Sequence, residues 1–170
     1  MEIKPATLDD VPQLVQLVNS AYRGETAKQG WTTEADLLDG IRTDEEALAQ
    51  LVATPGSVIL KSAGAAGELT GCVFLKKQQE QLYLGMLTVQ PKLQAKGIGK
   101  KLLAAAEAHG RVEGCRRIAI TVISVRHELI RWYERHGFRK TGETEPFPSD
   151  PRFGIPRQPL EFVVMEKDIL

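Results

Sequence analysis

The stretch from Leu87 to Leu103, Leu-Thr-Val-Gln-Pro-Lys-Leu-Gln-Ala-Lys-Gly-Ile-Gly-Lys-Lys-Leu-Leu, constrains the fold of this chain more than any other. It reads as a buried strand ending at Val89, a short loop marked by Pro91, and a glycine pair that opens a helix of apolar periodicity. The first turn of such a helix carries N–H groups with no intrahelical partner. Glycine lets the backbone curl tightly and approach a ligand with no Cβ in the way. Free N–H groups and the helix dipole together favour a bound anion. Gln94, Ala95, Lys96, Gly97, Ile98, Gly99 and Lys100 are therefore the expected cradle for the pyrophosphate of a cofactor.

Two other phosphate loops fail on spacing. A P-loop needs Gly, four residues, then Gly-Lys-Ser/Thr, whereas Lys101 follows Gly99-Lys100. A dinucleotide fingerprint needs a third glycine at position 102, which is Leu.

Along the rest of the chain, residues 2–6 predict a short strand. Thr7 with Asp10 caps a helix whose apolar face is Val11, Leu14, Val15, Val18 and Tyr22, ending near Arg23-Gly24. A second helical stretch is expected from Thr33 to Asp39, and a third from a Thr43/Glu46 capping box to Pro55-Gly56. Ser57–Ala63 and Glu68–Lys77 flank a Gly64…Gly67 turn as a hairpin, and Gln81–Val89 follows. After the glycine-loop helix, Arg117–Ile123 reads as a buried parallel strand, and Glu128–His136 as a helix stopped by Gly137. Strands near Phe138–Glu143 and Phe162–Lys167 flank a loop, 146–160, that holds five of the nine prolines and is long enough to be functional. The pattern is α/β in the mixed α+β sense, in one domain spanning 1–170.

Lys plus Arg equals Asp plus Glu at 22 each, so no net field draws in nucleic acid or an anionic membrane. No apolar run approaches the roughly 20 residues that span a bilayer, and Met1–Thr7 lacks a secretory apolar stretch. Cys72 and Cys115 have no metal-ligand spacing, which leaves free buried thiols in a cytoplasmic protein and no metal as the expectation. His109, His127 and His136 form no metal or nucleophile constellation; His136 is placed to face a helix C-terminus as a cation.

Gln94-x-x-Gly97-x-Gly99 between a strand and a helix resembles the acyl-CoA loop of the GNAT superfamily of N-acetyltransferases. A second motif, Tyr133, three residues, then Gly137-Phe138, resembles the one that GNAT chains carry at the end of a later helix. The resemblance runs nearly end to end. It implies a central mixed, mostly antiparallel sheet of about seven strands flanked by about four helices. It also implies transfer of an acetyl group from acetyl-CoA to a primary amine of a small molecule or peptide, by direct attack in a ternary complex. A non-catalytic acyl-CoA-binding module and a protein N-acetyltransferase are the alternatives. A homodimer stays open.

By that resemblance Tyr133 is the general acid that protonates the departing thiolate. A thiol of pKa near 8.5 leaves best with a proton supplied, and a phenol of pKa about 10 still holds one at pH 7. Main-chain groups of Leu87, Thr88 and Val89 are implied to pair with the pantetheine arm, and one N–H there to hold the tetrahedral oxyanion. A lysine-like amine of pKa ~10.4 is neutral in only about one part in 2,500 at pH 7, a cost of roughly 4.6 kcal/mol, against about 1.4 for an α-amine near pKa 8. Two positions depart from the family pattern. Arg126 stands seven residues before Tyr133 in place of a common Asn, and a phosphate contact is the expectation for it. The strand residues Tyr83 to Leu87 offer no carboxylate as general base; the nearest is Glu80.

The acceptor is expected between the segment Tyr22–Thr33, with Arg23, Glu25 and Trp31, and the loop 146–160, with Phe147, Arg152, Phe153 and Arg157. Tyr22 and Trp31 are the residues assigned to it. An acceptor carboxylate is expected to pair with Arg152 or Arg157.

Overall fold

A computed structural model describes residues 1–170. The elements are β1 (Glu2–Pro5), α1 (Val11–Tyr22), α2 (Gly24–Ala27), β2 (Leu38–Asp39), α3 (Glu45–Ala53), β3 (Ser57–Ala63), β4 (Leu69–Gln78) and β5 (Gln81–Val89). They continue as α4 (Ile98–Val112), β6 (Arg117–Ile123), α5 (His127–Arg135), β7 (Arg139–Pro146), β8 (Ile155–Pro156) and β9 (Glu161–Asp168). Seven strands form one sheet in the order β1-β3-β4-β5-β6-β9-β7, antiparallel throughout except for β5 beside β6. This is the mixed, mostly antiparallel sheet expected. There are five α-helices, α2 being a single turn. None is long and apolar enough to cross a membrane.

Local chemistry explains most element ends. Asp10 Oδ2 accepts the Thr7 N–H at 2.8 Å ahead of α1, while Lys61 Nζ holds its other oxygen at 2.7 Å. The cap of α3 is Asp44, which accepts the Ala47 N–H at 2.9 Å. The expected cap, Thr43, is buried instead and gives its N–H to Asn19 Oδ1.

The helix expected from Thr33 to Asp39 does not form. Thr33 Oγ1 accepts the Ala35 N–H, the N–H groups of Leu37 and Leu38 both turn back to the Glu34 carbonyl, and Leu38-Asp39 pairs with Ile155-Pro156. A seven-residue helix cannot offset its own nucleation, so tertiary partners decide this segment.

Helices cover both sheet faces. α1 and α3 bury Leu14, Val18 and Leu48 against Ile59, Cys72 and Phe74; α4 and α5 bury Leu102, Ala106 and Ile130 against Leu60, Val73, Leu75 and Ile118. Strands buried on two faces carry apolar residues at consecutive positions, which is why Cys72 to Leu75 is an unbroken run.

β5 changes face within its length. Leu82 and Leu84 join the α4–α5 core, yet Met86, in phase with them, packs on the α1 side, and beyond it Leu87 and Val89 face α4–α5. The switch is a β-bulge: Met86 has φ 55°, and between the pairs Cys72↔Thr88 and Phe74↔Gly85 two residues of β5 oppose the single Val73 of β4. One inserted residue inverts the side-chain phase of everything after it.

Candidate functional site

β5 and β6 pair only through Gln81–Tyr83 with Arg117–Ala119, and beyond Tyr83 they part. The edge of β5 after the bulge therefore lacks a strand neighbour on that side. Gln90 N–H donates to Thr70 on β4 at 2.9 Å, so by alternation the main-chain groups of Val89 and Leu87 face the opening. Both residues line a narrow cleft there, together with Gln94, Ala95, Gly97, Ile98, Gly99 and Lys100.

The loop at the mouth of this cleft is built to leave donors free. Ala95 and Gly97 have φ of 67° and 87°, and the first chain hydrogen bond after the loop is Lys101 N–H to Gly97 carbonyl at 3.1 Å. The N–H groups of Ala95 through Lys100 donate to no group of the chain. Six such donors stand at the head of the fifteen-residue α4, where free N–H groups and the helix dipole favour an anion.

Gln94 does a different job from its neighbours. Its Nε2 donates to Thr32 Oγ1 at 2.7 Å and to the Val89 carbonyl at 3.1 Å, and its Oε1 accepts the N–H groups of Trp31 and Thr32. The side chain is thus consumed in tying the glycine loop to residues 31–32 and to the end of β5. It lies against Gly30 so closely that a Cβ there would sit 2.6 Å from its amide carbon.

Trp31, assigned to the acceptor, stands over the glycine loop with its ring centroid 6.5 Å from that of Trp132; it lines the cleft and not the larger chamber below. The tie from Gln94 to its backbone is what holds it there.

Tyr133 lies where the cleft meets a second chamber of about 510 Å³, and it lines both, as do Tyr22, Leu87 and Leu129. Helix α5 presents Tyr133 inward because Trp132 and Phe138 pack edge-on against its ring, at centroid distances of 5.1 and 5.2 Å. Burial, with the nearby Tyr22 phenol, pushes the Tyr133 phenol well above its usual value, opposed by Arg126. It is a proton-bearing group throughout the neutral range. Tyr22, raised to about 12 by burial and then by the Glu34 charge, donates its hydroxyl to the Leu87 carbonyl at the bulge. His136 is turned away from both spaces: Nδ1–H donates to the Trp132 carbonyl at 2.7 Å at the end of α5.

The chamber wall carries a buried ion cluster that local sequence patterns give no sign of. Glu34 Oε1 receives Nε and Nη2 of Arg23, each at 3.2 Å, and Oε2 receives Nη1 of Arg126 at 3.3 Å. These three side chains are 9%, 5% and 8% exposed. Burial pulls the Arg23 guanidinium below its usual pKa and the Glu34 carboxylate pulls it back. Arg126 also donates to the Thr32 carbonyl at 2.5 Å, so it is spent inside the wall and not aimed at a phosphate.

Arg23 Nη1 reaches the carbonyls of Ile41 and Phe153 and joins the two segments that roof the chamber. The roof is fastened outside by β2 with β8, by Arg152 on Asp44 and Glu46, and by Arg157 on Asp39. The two arginines expected to meet an acceptor are these exterior ties, and neither lines the chamber. Glu25 is exposed, where it pairs with Lys28. Inside, beside Glu34 and Arg42, the walls are Tyr22, Tyr83, Phe147, Phe153 and Phe162. No cluster of side chains in the molecule has the makings of a metal site.

Comparison with known proteins agrees with this architecture. The curated relatives include an acetyltransferase of Agrobacterium fabrum, Atu2258, 37% identical over 68 residues, 40% of this chain and 48% of that protein. Another is an uncharacterized N-acetyltransferase of Escherichia coli, YjhQ, 30% identical over 130 residues, 74% of this chain and 66% of that protein. The chain thus spans between about half and two thirds of the length of these relatives. Among solved structures, smu.2055 of Streptococcus mutans superposes over the whole of both chains with a TM-score of 0.74 at 17% identity, a likeness of fold. The sequence pattern of the acetyltransferase (GNAT) family matches residues 13–138, from α1 through the end of α5, and the chain belongs to that family.

Proposed function

We propose that this protein transfers an acetyl group from acetyl-CoA to the primary amine of a small acceptor. The observation that carries the reading is the position of Tyr133. It is a buried, protonated phenol at the junction between a cleft that ends in six free N–H groups and a separate chamber of acceptor size. Acetyl-CoA supplies the activated thioester.

The N–H groups of Ala95 to Lys100 are suited to the diphosphate, and the outward N–H groups of Leu87 and Val89, whose carbonyls already accept from Tyr22 and Gln94, to the carbonyls of the arm and the developing oxyanion. Tyr133 donates its proton to the departing sulfur. Tyr22, through the Leu87 carbonyl, holds the bulge that aims those groups. The stapled roof over the chamber favours a small acceptor over a folded protein surface.

The test is thiol release from acetyl-CoA over a panel of amines, with the native chain and Tyr133→Phe. The variant is expected to lose about 10²–10⁴-fold in kcat, with its KM for acetyl-CoA little changed. Equal turnover in the two chains would remove Tyr133 from this role.

A further inference from the structure

The chamber holds one cation that nothing in the chain neutralises. Arg42 lines it, and its guanidinium lies 5.8 Å from the centroid of the Tyr22 ring, with no carboxylate or carbonyl of the chain in hydrogen-bond or ion-pair reach. The residue is fixed from behind. Asn19 Oδ1 on α1 accepts the N–H of Arg42 at 2.8 Å and of Thr43 at 3.0 Å, and Asn19 Nδ2 donates to the Thr43 carbonyl at 3.0 Å. The backbone clamp and the ring together hold a free guanidinium beside Tyr22, which touches both the chamber and the acyl cleft.

Among the buried charged groups of the wall, the net charge has the same sign. Of the three guanidiniums on the wall, Arg23 and Arg126 share the single carboxylate of Glu34, both of whose oxygens are taken. Glu145 and Asp150, the other carboxylates at the chamber, are exposed residues at its rim. The interior is therefore electropositive between aromatic walls, where a fixed guanidinium fork gains most by meeting a planar anion. A polyamine or aminoglycoside would bring further cations against this wall.

We infer that the acceptor is a carboxylate-bearing primary amine of amino-acid size with an apolar side chain, and that Arg42 binds its carboxylate. This rests on the acetyl-transfer reading and adds the substrate class to it. The carboxylate sits over Tyr22 on Arg42, the apolar part lies among Phe147, Phe153 and Phe162, and the amine points to the junction at Leu87 and Tyr133. The sequence places an anion-binding arginine in the loop 146–160; those arginines are tied to Asp39, Asp44 and Glu46, and the unpaired one, Arg42, is on the neighbouring roof segment, next to Ile41.

The experiment is thiol release from acetyl-CoA with each amino acid paired against its own α-carboxamide, alongside polyamines and aminoglycosides. Apolar amino acids are expected to exceed their amides by about ten- to a hundredfold in kcat/KM, as befits a charge-assisted hydrogen bond. Arg42→Gln is expected to raise the KM for the acids by a similar factor, with the amides within about twofold, and Arg42→Lys to recover part of the loss.

A measurement on the native chain stands beside these in case a variant folds poorly: N-acetyl amino acids compete with the acceptor and their amides do not. Amides or polyamines used as well as the acids, with release still dependent on acetyl-CoA, would overturn the carboxylate site and leave the transferase standing. No release with any amine would remove both.

Discussion

Replacing Glu34 by Gln is the sharpest test of how this site is held together. The carboxylate takes three N–H contacts from two guanidiniums, at 3.2, 3.2 and 3.3 Å, in a wall where all three side chains are less than a tenth exposed. Glutamine keeps the shape but turns an NH2 toward one guanidinium and removes the only negative charge between two buried positive ones. Breaking a buried pair from one side costs about 3–5 kcal/mol, because the stranded cation has no water to turn to. A protein of this size has a total stability of about 8–25 kcal/mol. Its midpoint should fall by about 6–20 °C, at 2–4 °C per kcal/mol.

Urea denaturation followed by far-UV circular dichroism measures the loss directly. A second variant, Glu34→Gln with Arg126→Gln, should be less damaging than the two single losses added, with a coupling of about 1–3 kcal/mol. A loss below about 1 kcal/mol for Glu34→Gln alone would refute the argument. It would mean that water reaches the guanidiniums and that the roof is fastened by its exterior ties.

Two further outcomes follow from the same geometry. Gly97→Ala adds a Cβ that meets nothing within 4 Å, so its cost is that of φ 87° alone, about 1–2 kcal/mol, and the acetyl-CoA KM should rise as the N–H cradle relaxes; an unchanged KM at lowered stability would detach the loop from the cofactor. Alkali should unfold the protein early. Tyr22 titrates near 10 unfolded and about 12 folded, so stability present below pH 10 is lost as pH rises to 12, about 3 kcal/mol from this group. Tyr133 shifts in the same direction, and Cys72, raised from 9.0 to about 12 by burial, starts the decline a unit earlier. Denaturation midpoints measured from pH 8 to 11.5 should decline, less steeply in Tyr22→Phe, and a flat profile would contradict the burial of these groups.

Several elements were legible in the chain because their signals are local. Ser57–Ala63, Gln81–Val89 and Arg117–Ile123 are strands over the residues their alternation or β-branched content marks. The glycine loop and α4 follow from glycine spacing and a 3.6-residue apolar period, and Tyr133 from its fixed distance to Gly137-Phe138. The segment around Thr33 misled because Ser/Thr caps and acidic residues also mark turns, and Glu34 serves two arginines in place of a helix. The phosphate contact expected of Arg126 fails because its carboxylate partner is 92 residues away and invisible to local pattern.

What the sequence determined by itself is therefore the periodic part: a mixed sheet covered by helices, a phosphate-type loop between β5 and α4, and a tyrosine carried on α5. Tertiary structure decided the site. In β5, Leu82, Leu84, Met86 and Thr88 alternate without interruption, and only the placing of the single residue Val73 opposite both Met86 and Leu87 produces the bulge that turns Leu87 and Val89 to the cleft. The roof depends on a two-residue pairing, Leu38-Asp39 with Ile155-Pro156, too short to have any propensity of its own. Which arginine is spent and which is free depends on carboxylates and carbonyls brought together from distant parts of the chain. Periodicity records how each residue meets its neighbours in sequence, whereas bulges, roofs and unpaired charges are set by what lies opposite in space.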